Sequence, residues 1–276
     1  MCPPEEDDLL ITRAATGDRE AFASLVERYG QTVLRVARAI TGDDATADDV
    51  AQETFLSALR SAATFRPELG SARTWLLSIA RNTARRARRR GREEPTPEID
   101  EPPLLDLGLA AGWGADVPEH AYARAEEIER LARAIAGLAS EDREILVLRD
   151  VEQLSGEESA KVLGLGLAAM KSRLHRARLR LLAALREEAG GVVEREREVG
   201  GMTCGAVLAV LGDYVDGDLA AAEVARVDAH LRGCTVCERF GGRYSRTVHA
   251  ARSRLGAAPT FDAAQVERIR ALLARG

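Results

Sequence analysis

The chain has 276 residues, room for two or three small domains. Aromatic residues make up only 4%, and no run of alternating β-branched residues stands out, which excludes a sheet-based fold and indicates an all-α class. The net charge of -5 excludes nucleic-acid binding through the whole-molecule field, so any such binding must come from local cationic clusters.

In chain order, residues 7–92 read as one helical block. Asp7 and Asp8 precede an apolar-periodic helix with Leu9 and Leu10 that runs to Ala15. Asp18 is placed to cap the next, with Phe22, Leu25, Val26 and Tyr29 inward, and a separate helix is expected from Gln31 to Thr41. Asp44 to Phe65 forms a fourth, with Val50, Phe55, Leu56 and Leu59 as its core stripe. After Pro67 and Gly70, a helix from Ser71 carries Trp75, Leu76, Ile79 and Ala80. It ends in Arg81, Arg85, Arg86, Arg88, Arg89, Arg90 and Arg92, with no acid until Glu93. An aromatic beside such a run suits unpaired bases, which stack on a ring while the backbone lies on arginine. A plain core role for Trp75 is the competing reading.

Residues 93–119 hold Pro95, Pro97, Pro102, Pro103 and Pro118 among acids and glycines, the composition of an extended, mobile linker. Helical pattern resumes near His120 and builds a second module over 120–189. Leu131, Ile135 and Leu138 lead to Ser140, which is placed to cap a helix with Ile145, Leu146 and Leu148. Ser155 to Leu182 then reads as helix, glycine turn, helix. Leu167, Met170, Leu174, Ala177 and Leu181 line one face of the second helix. Lys171, Arg173, His175, Arg176, Arg178 and Arg180 occupy the remaining arc. A thin apolar seam under a cationic arc is the plan of a helix-turn-helix that enters the major groove.

Gly190–Gly201 is a second hinge, and a last unit spans 202–256. There Cys204, His230, Cys234 and Cys237 give the pattern C-x25-H-x3-C-x2-C. His230 and Cys234 are four apart and share a helical face, with Cys237 turning back beyond Gly233. Three thiolates and one imidazole complete a tetrahedron with no open position, a structural zinc pattern. In so small a unit metal binding supplies much of the folding free energy. Cys2 stands apart, and His249 has no assigned role. Residues 257–276 hold an amphipathic helix, with Val266, Ile269, Leu272 and Leu273 on one side and Asp262 and Gln265 able to cap its start.

These residues carry a family resemblance. LASEDREILVLRDVEQLSGEESAKVLGLGLAAMKSRLHRARLRLL resembles region 4 of the extracytoplasmic-function group of bacterial sigma factors. DDATADDVAQETFLSALRSAATFRPELGSARTWLLSIARNTARR resembles their region 2. The resemblance implies that Asp48, Asp49, Gln52, Glu53 and Phe55 dock on RNA polymerase core. It further implies that Trp75, Arg81, Asn82 and Arg85 meet the melted −10 element of promoter DNA. Lys171, Ser172, Arg173, His175, Arg176 and Arg178 would then read the −35 duplex. The chain departs from the family pattern in two places: Gly166 to Ala169 lack the usual Ser or Thr at the start of the recognition helix, and Ser159 replaces an apolar core residue. LGDYVDGDLAAAEVARVDAHLRGCTVC is similar to the zinc-binding anti-sigma domain.

The implied protein is a sigma factor, not an enzyme, with an anti-sigma-like zinc domain fused in cis. Its expected partners are RNA polymerase core, promoter DNA and its own zinc unit, and its expected cofactor is one zinc ion, structural or redox-sensitive. Either regulatory sign, inhibition or requirement, is compatible with the sequence. With no bilayer-spanning apolar stretch and an acidic start, MCPPEEDDLL, a cytoplasmic location is expected. The alternative is a zinc-stabilised helix-turn-helix regulator that does not engage polymerase. A zinc hydrolase is disfavoured by the closed ligand set.

Overall fold

The computed structural model describes residues 4–90, 101–113, 124–185, 197–257 and 260–275. Cys2, Arg92, Pro95, Pro97, Pro118, His120 and most of the Gly190–Gly201 hinge lie outside the described residues. The elements in order are α1 (Pro4–Ala15), α2 (Arg19–Thr41), α3 (Asp44–Ser61), α4 (Ala72–Arg90), α5 (Leu104–Ala110), α6 (Arg124–Gly137), α7 (Ser140–Leu146), α8 (Gly156–Leu163), α9 (Leu167–Ala184), β1 (Glu198–Val199), β2 (Met202–Thr203), α10 (Cys204–Asp216), α11 (Ala221–Gly233), α12 (Thr235–Gly256) and α13 (Ala263–Arg275). The all-α expectation holds, with one two-stranded hairpin added. No described helix is long and apolar enough to cross a membrane.

The described residues form two compact units. The first gathers the described parts of Met1–Thr96, Val147–Leu167 and Leu255–Gly276; the second gathers those of Pro97–Leu146 and Ala168–Arg254. The 120–189 segment thus contributes to both.

In the first unit, Asp18 caps α2 by accepting the Ala21 N–H at 3.0 Å, and Asp43 caps α3 by accepting that of Thr46 at 2.7 Å. The core joins Phe22, Val26, Val33 and Ile40 of α2 to Val50 and Phe55 of α3 and Leu77 and Ala80 of α4. Several expectations need correction. The two helices expected on either side of Gly30 are one continuous α2, because apolar residues on both flanks bury against the same core. Asp7 and Asp8 lie inside α1 rather than ahead of it. Asp7 accepts from Arg28 and from the Tyr29 hydroxyl, each at 2.5 Å, while Asp8 accepts the Ala72 N–H at 2.7 Å at the start of α4. Leu9 is outward, at 56% exposure. Leu56, Leu59 and Ile79 are half-buried rather than core.

A five-residue π-helical turn, Val147–Val151, leads into Glu152 in the same unit. The Glu152 side chain, 4% exposed, accepts from Thr32 at 2.9 Å, Arg35 at 2.6 Å and Arg73 at 3.2 Å. A buried carboxylate satisfied by two guanidinium groups holds the 147–167 segment against α2 and α4. The capping box of α8 pairs Ser155 with Glu158, and Gly164 closes the helix in the left-handed region at φ 66°.

In the second unit, α5 replaces part of the expected extended linker. Leu107, Ala111 and Trp113 are buried in one core with Leu179 and Leu182 of α9, Val207, Leu208 and Leu211 of α10, and Phe240, Tyr244 and Val248 of α12. Proline-rich composition marked the region as irregular, but three apolar side chains gain enough from burial to order it.

Candidate metal centre and nucleic-acid interface

The four residues of the Cys/His pattern converge. Cys204, His230, Cys234 and Cys237 are all buried, and their ligand atoms lie within 4.8 Å of one another. The Sγ atoms of Cys204 and Cys234 are 3.8 Å apart. Cys204 opens α10, whose cap is Thr203; His230 lies in the last turn of α11. Cys234 is not on a shared helical face with His230, as the spacing suggested. It sits in extended backbone at the break between α11 and α12, and Cys237 lies in the first turn of α12. Cys204 and Cys237 are therefore at helix N-termini, where partial positive charge favours thiolates.

The hairpin missed from sequence orients the histidine. Glu198 pairs with Thr203 and Val199 with Met202, across a Gly200–Gly201 turn with both φ values positive, 61° and 73°. His230 Nδ1 lies 3.0 Å from the Met202 carbonyl and 3.2 Å from that of Val199, so Nδ1–H donates to the hairpin. Nε2 is then left buried with no hydrogen-bond partner among the described residues. Burial, with the neighbouring sulfurs, holds the Cys237 thiol well above its ordinary range, and burial likewise raises Cys204. Soft donors that resist ionising alone, beside an orphaned imidazole nitrogen whose ring is already fixed by backbone carbonyls, fit a tetrahedral cation.

The cationic residues of α9 are not the open arc that the sequence suggested. Arg178 is 1% exposed and makes a bidentate pair with Asp216 of α10, at 2.7 and 3.0 Å. Lys171 reaches Asp218 at 3.0 Å and Asp213 at 3.2 Å. Burial works against its charge, but those two carboxylates outweigh burial and raise its pKa. Arg176 donates to the Pro102 carbonyl at 2.5 Å and lies 3.5 Å from Glu101. Arg180 donates to Asp142 at 2.8 Å; burial nonetheless pushes the Asp142 carboxyl up.

His175 is also buried. Its Nδ1 is 2.9 Å from the Tyr244 hydroxyl, and burial lowers its pKa to about 4, with the charges of Arg178 and Arg176 acting in the same direction. Ser172 is exposed and Arg173 half-buried. The expected stripe holds at Met170, Leu174, Ala177 and Leu181, but Leu167 is outward, and Leu179 and Leu182 bury a further face. Asp213, Asp216, Asp218 and Glu101 were missed by sequence reasoning. The DYVDGD run was the available signal, but nothing local said which cations it would meet.

On α4, Trp75 is half-buried and meets Phe65 edge-on at 5.5 Å between centroids. Asn82 is exposed, whereas Arg81 and Arg85 are half-buried. On α3, Asp49 and Glu53 are exposed and Gln52 is half-buried; Glu53 accepts from Arg60 at 2.6 Å. Phe55 is fully buried against Phe22, so it is a core residue rather than a surface one. Asp48 is covered by α13: Arg268 approaches it at 3.2 Å and Gln265 donates to it.

Three family models match the chain: Sigma-70 region 2 over residues 25–94, Sigma-70 region 4 over 128–181, and a zinc-finger family over 204–237. The RNA polymerase sigma factor CnrH of Cupriavidus metallidurans is 35% identical over 187 residues, covering 67% of this chain and 97% of CnrH. The RNA polymerase sigma-H factor of Pseudomonas aeruginosa is 34% identical, covering 64% of this chain and 93% of that protein. The ECF RNA polymerase sigma-E factor of Haemophilus influenzae is 33% identical over 62% of this chain and 91% of its own. Among solved structures, CnrH in complex with the cytosolic domain of CnrY aligns at 30% identity with a TM-score of 0.47, covering 65% of this chain and 97% of that one.

Proposed function

The chain belongs to the ECF family of RNA polymerase sigma factors, and from that premise we propose that it directs polymerase core to promoters and is restrained in cis by its own zinc-binding segment. Asp48, Asp49, Gln52 and Glu53 would present an acidic helix face to polymerase. Phe55 would support that face from beneath. Trp75, Arg81, Asn82 and Arg85 would take the melted −10 strand, where a ring stacks on a base and guanidinium groups follow the phosphates. Lys171, Ser172, Arg173 and Arg176 would engage the −35 duplex. His175 and Arg178 lie too deep to reach a groove in this conformation.

The observation that carries the restraint is the Arg178–Asp216 pair, with Lys171 between Asp213 and Asp218. On this reading, carboxylates of the zinc-binding segment occupy cations of α9 that DNA phosphates would otherwise engage. Phosphate contacts supply much of the affinity of such helices, so their replacement by internal acids opposes DNA binding directly. Because the acids belong to the same chain, their effective concentration is of order mM and dilution does not release them.

Zinc on Cys204, His230, Cys234 and Cys237 would hold α10, α11 and α12 in the arrangement that aims those acids at α9. When bound, the ion neutralises the thiolates and supplies much of the segment's folding free energy, on the order of 10 kcal/mol for zinc-finger peptides.

The test is promoter-dependent RNA synthesis by core polymerase with the full chain, with and without a zinc chelator, alongside Cys234→Ser. Chelation and Cys234→Ser are expected to lose zinc, measured by metal analysis, and to raise transcription. Transcription that falls or stays constant on metal loss would refute restraint, and unchanged zinc content in the variant would remove the ligand assignment.

A further inference from the structure

The segment around α5, which joins the two sigma modules in sequence, ends beside the four-donor cluster. We infer that Trp113 is a positioning residue for the metal centre, its indole N–H directed at the Cys237 sulfur, and that docking of residues 101–113 and metal binding support each other; this rests on the four-ligand zinc reading above. Three features carry it.

The first is an unused donor. Trp113 is 7% exposed and shares one core with Cys204, Cys234 and Cys237. Its Nε1–H is buried with no hydrogen-bond partner among the described residues. A buried indole N–H normally finds an acceptor, and a neighbouring sulfur that becomes a thiolate would supply one. Cys237 already responds to the ring: burial and the neighbouring sulfurs push that thiol up, while the Trp113 N–H acts in the opposite sense. A donor placed behind a metal ligand fixes its orientation and tunes its donor strength.

The second is the way the ring is held. α5 closes on Gly112, at φ 90° in the left-handed region, and the Trp113 backbone N–H donates to the Gly108 carbonyl at 2.8 Å. Arg243 of α12 donates to the Gly112 carbonyl at 2.8 Å. Cys237 is on the same helix, so α12 carries both a ligand and the group that fixes the turn bearing Trp113.

The third is close packing along the segment. A Cβ on Gly108 would lie 2.5 Å from Leu208 Cδ2, so the bare backbone there lets α5 approach α10, the helix that Cys204 opens. Ahead of α5, Arg176 donates to the Pro102 carbonyl at 2.5 Å, and Glu101 lies 3.5 Å from Arg176 and 3.8 Å from Arg180. The segment is thus held at its start by α9 and at its end beside Cys237.

Residues 101–113 fall between the spans that match Sigma-70 region 2, 25–94, and region 4, 128–181. Metal on the four donors would fix the α10 and α12 surfaces on which α5 packs, and the docked segment would hold Trp113 against Cys237. By linkage each favours the other by the same factor, and the metal state is passed to the chain between the two sigma modules.

The experiment uses the full chain carrying Trp75→Phe, in which Trp113 is the one remaining tryptophan, loaded with zinc or with cobalt(II) as a spectroscopic probe. Chelation is expected to shift Trp113 emission to the red and to expose the 104–113 amides to hydrogen exchange; emission and protection that ignore metal removal overturn the inference. Trp113→Phe keeps a ring in the core and removes the N–H. It should weaken zinc binding by about tenfold or more, read by competition with a chelating dye, and move the cobalt–thiolate charge-transfer band. Weaker binding with the band unmoved assigns Trp113 to packing alone and overturns its role, as does unchanged affinity. Gly108→Glu alters no ligand and leaves Trp113 in place, yet should free the segment and weaken zinc binding as well; parental affinity with the segment freed refutes the linkage. None of these readouts involves polymerase or promoter. Chelation that frees the segment without raising transcription therefore sinks the restraint alone, whereas a chain that binds no zinc sinks both.

Discussion

Two helices of this protein are comparably cationic in sequence and differ in what the fold does with their charge. At the end of α4, Arg86, Arg89 and Arg90 are exposed, whereas on α9 Arg178 is 1% exposed and His175 is buried. The α4 run ends a helix, with no acid before Glu93. The α9 cations meet a cluster of aspartates that arrives from 38 residues downstream and packs on them through a shared apolar core. Charge patterning says that a helix is cationic; whether its cations are available depends on which acids fold back on it.

The contrast breaks most sharply at Asp216. Asp216→Asn takes the carboxylate from a buried guanidinium and should cost about 3 kcal/mol, while Arg89→Ala at the exposed end of α4 should stay within about 0.5 kcal/mol. Urea unfolding of the two variants measures both, and similar losses would erase the distinction between the helices.

A comparable effect is expected from pH. His175 has a folded-state pKa of about 4 against an ordinary 6.5. Between those values the unfolded chain takes up a proton that the folded chain refuses. Stability from this group is therefore complete above pH 6.5 and is lost as pH falls toward 4, by roughly 3 kcal/mol in all. Thermal unfolding at about pH 7 and about pH 4.5, on either side of most of that transition, should show the loss, and His175→Asn should flatten the dependence. An equally steep profile in that variant would assign the effect to other groups.

The smallest effect lies at Ser159, one of the two departures from the family pattern. It is fully buried, and its hydroxyl has no partner among the described residues. Ser159→Ala removes an unsatisfied buried oxygen and should stabilise the chain by about 1 kcal/mol. A loss of stability in calorimetry would mean that the hydroxyl is bonded.

The local features were legible in the sequence. The Asp18 cap and the Asp262–Gln265 cap both form as the residue types require. The four-donor set was readable because thiolates and imidazole at such spacings have few other uses. Less legible was the path between Cys204 and His230: the hairpin that orients the imidazole is only two residues per strand, too short for alternation to reveal it. The helix at Leu104–Ala110 was hidden by the prolines before it.

By itself, then, the sequence determined an all-helical chain with two cationic helices, an acidic face on α3 and a candidate set of four metal donors, because caps, periodicity and ligand chemistry act over a few residues. Only the tertiary structure decided that Asp216 covers Arg178 and that Phe261 fills the space above Gly30. Those pairings join residues far apart along the chain, 38 in one case and more than two hundred in the other. No local propensity encodes them; they follow from which apolar faces bury one another, and the charges are carried along.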